Sequence, residues 1–249
     1  MSHNIHPTAI IHPNAKIADN VTVGAFTQIG ELVSIGENSK IGSNCEIGLE
    51  QGTLDPTELI IGKNANIRSG AILYLSSTFG DGFQTGHRVT IREGTIAGAG
   101  FQAGTLCDIQ GHVEIGDHVK LHSNVHIGQG SKISSYVWIF PYVVLTNDPH
   151  PPSETRLGVT VKPYVAIGTM STILPGVVIE EGCLIAAGST LSKNTDADTI
   201  WAGTPAKSVG KTERIKLTGT DTPAYPWRRH FHRGYPDDIV QQWTKEFSA

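Results

Sequence analysis

Asp108-Ile-Gln-Gly-His-Val-Glu-Ile-Gly-Asp-His-Val-Lys-Leu-His-Ser-Asn-Val-His-Ile-Gly128 decides the fold. An aliphatic residue returns every sixth position, at Ile109, Ile115, Leu121 and Ile127. Four positions after each comes a second small apolar or hydroxyl residue: Val113, Val119, Val125 and Ser131. This period is neither the 3.6 of a helix nor the sustained alternation of an ordinary strand. It is the signature of a solenoid of short strands joined by tight corners. Four histidines fall in the same stretch, so scaffold and candidate chemistry arrive together.

Working outward, the register runs backwards through Ile91, Phe79, Leu73, Ile67 and Ile61. It slips by two over Leu49 to Ile60, where Gly52, Asp55 and Pro56 predict a loop, and continues at Ile47, Ile41, Ile35, Ile29, Val23, Ile17 and Ile11. Thr85, Ala97 and Ala103 are its smallest members, which predicts a thinner or bent interior there. Forward of Ile127 it holds to Leu145. Asn147 to Thr160, with Asn147-Asp148-Pro149-His150-Pro151-Pro152, predicts a projecting loop because proline cannot donate to a ladder. The register returns from Val161 to Leu191. One unit cannot bury its aliphatic residue alone, but stacked units make a continuous column. Each inward Ile contributes about 1.5–3 kcal/mol.

The boundaries are therefore a solenoid domain over 1–210, with loops near 49–60 and 147–160, and an extension over 211–249. The extension is aromatic, basic and broken by proline from Pro223 to Pro236. Asp237 to Phe247 predicts a helix with Ile239, Val240, Trp243 and Phe247 on one stripe. The extension is expected to cap the end, contact another subunit or grip substrate.

The 249 residues carry a net charge of -4, with 17% charged, which excludes a polybasic nucleic-acid surface. Cys45, Cys107 and Cys183 form no CxxC pair or disulfide framework, as expected in a reducing compartment. No signal peptide and no apolar run of membrane-spanning length is recognisable, so a soluble, cytoplasmic protein without a membrane partner is expected.

Ile-Gly-Glu-Asn-Ser-Lys (35–40) and Ile-Gly-Asp-His-Val-Lys (115–120) resemble the hexapeptide repeat of left-handed β-helix acyltransferases. Ile173-Leu174-Pro175-Gly176-Val177, Ala186-Ala187-Gly188-Ser189 and Gly203-Thr204-Pro205-Ala206-Lys207 are similar to the coenzyme A region of that superfamily. The resemblance implies an all-β solenoid, a left-handed parallel β-helix with a short helical or irregular C-terminal extension. It also implies about eighteen residues per coil, a homotrimer, and acyl-CoA sites between subunits. Phe83-Gln84-Thr85-Gly86-His87, Ile91-Arg92-Glu93, Leu121 to His126 and Thr146 to Pro152 resemble N-acyltransferases acting on nucleotide-linked amino sugars, including dTDP-amino dideoxyhexoses of surface polysaccharides such as O-antigen.

At eighteen residues per coil, positions eighteen apart become neighbours one strand spacing, about 4.8 Å, away. Thr90, Asp108 and His126 form one column, so Asp108 is placed to orient His126 and raise its basicity. Ser69, His87, Thr105 and Ser123 form another, and Gln84, Gln102, Lys120 and Trp138 a third. The resemblance adds that catalytic histidines of several superfamily members lie two positions after the inward residue, the place of His87. The candidate bases are His87, or His126 with Asp108, with direct amine attack on the thioester and no essential side chain as a third option. No Gly-x-Ser-x-Gly elbow suggests an acyl-enzyme. His112 and His118 read as corner hydrogen-bonding residues.

Arg92, Glu93, His122 and Asn124 are the candidate acceptor contacts, Arg92 for a diphosphate. For acetyl-CoA, or a longer acyl-CoA, Ala166, Gly168, Ala187 and Gly188 would let pantetheine approach the backbone, and Lys193 and Lys207 would meet its phosphates; simple corner geometry equally explains the small residues. No metal is expected. Two alternatives remain: a zinc enzyme resembling γ-class carbonic anhydrases, with His87, His122 and His126 as ligands, and a non-catalytic trimeric scaffold.

Overall fold

The computed structural model describes residues 4–50, 52 and 56–248. Two- to four-residue strands follow one another around three flat parallel sheets. The first sheet includes Gln84–Thr85, Gln102–Ala103, Lys120–Leu121 and Trp138–Ile139; the second Thr90–Ile91, Asp108–Ile109 and His126–Ile127; the third Ile96–Ala97, Glu114–Ile115 and Lys132–Ile133. Asp108 pairs with Thr90 on one side and His126 on the other, and Lys120 lies between Gln102 and Trp138. The eighteen-residue columns are therefore real neighbours.

Most corners are turned by a residue in the left-handed conformation. At the edge entering the first sheet these include Asn64, His118, Tyr136 and Tyr164; at the edge leaving it they include Phe26, Arg88, Leu106, Asn124, Tyr142 and Met170. A left-handed non-glycine residue costs about 1–2 kcal/mol. The flanking ladders enforce it: Asn124 N–H donates to Thr105 O at 2.9 Å and Leu106 N–H to His87 O at 2.9 Å.

The inward column is dry. Ile109, Val113, Val119, Val125 and Ile127 are all at most 1% exposed. Ser131 belongs to this column because its buried hydroxyl donates to Gly128 O at 2.7 Å. The interior does not thin at Thr85, Ala97 and Ala103. Phe79 stacks on Phe83 at 4.2 Å, and Phe83 on Phe101 at 5.6 Å, all three at most 1% exposed. These rings supply the volume that the small residues leave, as dense interior packing requires.

Both interruptions leave the second sheet. The first follows Glu46–Leu49, where the pairing slips by one residue against Tyr74; Gln51 and residues 53–55 of that predicted loop lie outside the described residues. The second spans 146–159 and is closed by Leu157 N–H donating to Asn147 O at 2.8 Å and by the Arg156–Asp148 ion pair.

At the far end Thr199–Gly203 pairs antiparallel with Ala206–Lys211, and Trp201 closes the interior against Ile185. The chain then turns back along the flank of the first sheet. Trp227 Nε1 donates to Tyr164 O at 2.9 Å, and Trp138 Nε1 to the Tyr235 hydroxyl at 2.8 Å. The helix Asp237–Ser248 buries Trp243 to 2% exposure, with its ring edge-on to Tyr136 at 5.2 Å and to Tyr235 at 4.9 Å. The extension thus covers a side of the solenoid, while the terminal hairpin closes its end.

Candidate active site

Asp108 and His126 meet on the outer face of the second sheet. Asp108 Oδ2 lies 3.0 Å from His126 Nδ1 and accepts a second bond from Gln110 Nε2 at 2.7 Å. The hydrogen bond from His126 is the largest influence holding the Asp108 carboxyl below its usual range. Burial opposes it; the Gln110 bond and the charges of His126 and Arg92 add to it. An ionised carboxylate only accepts, so the shared proton sits on His126 Nδ1. In the neutral imidazole that leaves Nε2 as the acceptor, on a side chain 39% exposed, which is the arrangement of a general base oriented from behind.

His87 lies on the edge between the first and second sheets and is exposed. Its Nδ1 is 2.8 Å from Ser69 Oγ, and its backbone N–H donates to Thr105 Oγ1 at 3.2 Å. Among the described residues, no carboxylate orients it. Gly86 is there because the chains nearly touch: a Cβ would stand 2.2 Å from the Thr105 nitrogen.

His122 lies two coils further along that edge. Its ring stacks on Phe140 at 4.8 Å and tilts against Trp138 at 5.9 Å. Burial, reinforced by the Lys120 charge, lowers its pKa from the ordinary 6.5, so the imidazole is neutral at pH 7. Asn124 occupies the neighbouring corner, half-buried. The structure therefore gathers His87, His122, Asn124, His126 and Asp108 along one edge and its adjoining face.

Arg92 and Glu93 are not on that edge. They follow Thr90–Ile91 at the opposite side of the second sheet and close on each other side-on, Nε to Oε2 at 3.1 Å and Nη2 to Oε1 at 2.9 Å. A diphosphate would have to compete with Glu93 for the guanidinium.

The residues expected to meet coenzyme A separate into groups. Gly168, Ala187 and Gly188 lie on the histidine-bearing edge, in later coils. Gly168 is required by corner geometry, since a Cβ there would meet Ala187 N at 2.6 Å. Ala166 pairs between Trp138 and Leu184 and is 6% exposed beneath the C-terminal extension. Lys193 follows Thr190–Leu191 on the far side of the second sheet, and Lys207 lies on the terminal hairpin; both are exposed. Among the described residues, no three His, Cys, Asp or Glu side chains converge as a metal-ligand set.

The periodicity overlooks one feature of this edge. Phe26, Leu106, Tyr142 and Met170 line it with 64%, 50%, 56% and 67% exposure. Their signal is present in the sequence: each falls three positions after an inward residue (Val23, Ala103, Ile139, Ile167), always at the same corner. These exposed apolar corners, with Asn44, Gly70, Arg88 and Asn124 between them on the same edge, make it a candidate contact surface.

Residues 14–48 match the bacterial transferase hexapeptide family (six repeats), and residues 165–193 the hexapeptide repeat of succinyl-transferase. The chain is 30% identical over 95 residues to the 2,3,4,5-tetrahydropyridine-2,6-dicarboxylate N-acetyltransferase of Staphylococcus aureus strain bovine RF122 / ET3-1, covering 38% of this chain and 34% of that protein. It is 32% identical over 123 residues to a putative acetyltransferase of Saccharomyces cerevisiae, covering 45% of this chain and 63% of that protein. The chain thus spans less than two thirds of the length of either relative. The UDP-N-acetylglucosamine acyltransferase of Campylobacter jejuni overlays with TM-score 0.46 at 17% identity, covering 98% of this chain and 83% of that one. The repeat matches and the three-sheet solenoid support a left-handed β-helix of the hexapeptide-transferase type.

Proposed function

We propose that this hexapeptide-repeat β-helix is an acyl-CoA-dependent N-acyltransferase that acts on the amino group of a nucleotide-linked amino-deoxyhexose. The observation that carries an acyl-transfer chemistry is the Asp108–His126 pair, with Nε2 free on an exposed face. A neutral sugar amine attacks the thioester carbon, forming the C–N bond. His126 Nε2 takes the proton the amine loses, and Asp108 stabilises the imidazolium. The tetrahedral intermediate then collapses, breaking the C–S bond, and the protonated histidine returns a proton to the departing coenzyme A thiolate. Positioning of the two substrates supplies much of the acceleration. His87 and Asn124 stand along the adjacent edge to hold the acceptor. The hexapeptide-transferase matches and the acetyltransferase relatives support the donor class.

The site is completed in a homotrimer. The exposed apolar corners at Leu106, Tyr142 and Met170 run beside His87 and Asn124, so a neighbouring copy seated on that row would wall the histidines from water. Acyl-CoA would enter along the later coils beside Gly168, Ala187 and Gly188. The nucleotide-sugar acceptor rests on the sequence resemblance, and a dTDP or UDP carrier is the expectation.

Thiol release from acetyl-CoA, followed with Ellman's reagent against dTDP- and UDP-linked amino sugars, tests the proposal. Release with one acceptor, lost in His126→Ala, is the expected result. Silence with every acceptor, including with longer acyl-CoAs, would reject it.

A further inference from the structure

The C-terminal extension and the first sheet form a two-part open cleft between them. One part, about 380 Å³, is walled by Trp138, Phe140, Ala166, Tyr225, Trp227 and Phe231 and is almost wholly apolar. The other, about 370 Å³, is lined by Lys120, His122, Gln102 and Arg233. Trp138 and Phe231 line both, so the two parts adjoin across these rings. Each lies within the roughly 300–1,000 Å³ typical of small-molecule sites.

The charges in the second part lack a counter-ion. Lys120 is 8% exposed, and its ammonium meets only the Trp138 ring at 4.7 Å, the Tyr235 ring at 4.1 Å and the Gly234 carbonyl at 3.3 Å. Arg233 rests on the Phe231 ring at 5.8 Å, and no carboxylate among the described residues pairs with either cation. Burying the Lys120 ammonium without an anion is costly, and the exposed Arg233 guanidinium beside it supplies no compensating charge. Gly234 is shaped to this approach. Its φ is +80°, and a Cβ would stand 3.2 Å from Lys120 Nζ. The neighbouring His122 is kept neutral and adds no charge of its own, while offering a ring N–H.

We propose that this cleft binds a small amphipathic anion of the medium-chain carboxylate class. The carboxylate sits between Lys120 and Arg233, and the apolar chain lies in the aromatic chamber. A chamber with so few polar groups suits an alkyl body better than a nucleobase, whose buried donors and acceptors would go unsatisfied. The inference stands on the extension's own pocket and does not require the histidine-bearing edge to be an acyltransferase.

Calorimetric titration of the full chain with decanoate and with decan-1-ol tests it. Decanoate should saturate one site per chain. Decan-1-ol should bind at least about tenfold more weakly, since a charge-assisted contact is worth about that much. Arg233→Met, on an exposed side chain, should weaken decanoate about tenfold and leave decan-1-ol unchanged. Ala224→Trp, which fills the chamber from the extension's side, should abolish both. Absence of decanoate binding, equal affinity for the two probes, or full decanoate affinity in both variants would overturn the proposal.

Discussion

The two edges that flank the first sheet are built identically and used differently. Both turn on one left-handed residue per coil, three positions after an inward aliphatic or small residue. On the entering edge those residues are His118, Tyr136 and Tyr164, half-buried where the returning extension lays Trp227, Tyr235 and Trp243 across them. On the leaving edge they include Leu106, Tyr142 and Met170, exposed, and the half-buried Asn124, with the exposed His87 beside them. The difference teaches that the corner position only presents side chains. Whether it becomes core or site depends on whether the chain returns to cover it.

If the uncovered edge carries the chemistry, His126→Ala should lower kcat in the thiol-release assay by about 10²–10⁴-fold. Asp108→Asn should lower it by a similar order. His118→Ala, on the covered edge, should leave kcat within a factor of about two. Equal losses at His118 and His126 would break the comparison. His87→Asn sharpens it: a smaller fall in kcat than at His126, with a raised acceptor KM, assigns His87 to positioning.

Trp243→Ala should cost about 3–5 kcal/mol, because a large ring leaves a cavity among Tyr136, Tyr235 and Trp227. Tyr142→Ala should change the stability of one chain by less than about 0.5 kcal/mol. Chemical denaturation of each variant measures both, and similar costs would mean that the two edges are equally embedded.

Leu106→Glu with Met170→Glu should convert the proposed trimer to monomer in sedimentation velocity while leaving the far-ultraviolet circular dichroism intact. An unchanged sedimentation coefficient would show that the apolar row is not a subunit contact.

The smallest effect is in pH. His118 and His122 are both pushed below the ordinary value of 6.5, chiefly by burial. The unfolded chain therefore takes up these protons first as pH falls. Their contribution is fully present above that value and is lost from there down to the folded-state values. Thermal unfolding midpoints should decline as pH falls below 6.5, and His118→Phe should flatten the decline. The Asp108 carboxyl, held low by His126, acts in a separate and more acid window, where stability is lost as pH drops below 3.8 through its folded-state value.

Much of the fold and part of the site are legible in the residue pattern. A period of six reports which side chains must leave water, so Ile109, Ile115 and Leu121 announce the interior column, and eighteen-residue spacing brings Asp108 to His126. The Phe79–Phe83–Phe101 stack is harder to foresee, because the rings come from different positions of the repeat and restore volume across coils. Arg92 reads as a phosphate ligand, yet its adjacent residue reaches it first.

The amino-acid order by itself determined the solenoid, its corners and the stacking of its columns, because burial of a periodic aliphatic residue and a ladder of constant spacing are local consequences repeated along the chain. Only the tertiary structure decided that Lys120 would lie under Tyr235 and Gly234, that Ala166 would sit under the extension, and that one edge would be covered and the other bare. Those contacts join residues as much as 114 positions apart with no period to announce them. They depend on how an aperiodic segment packs against a surface that already exists.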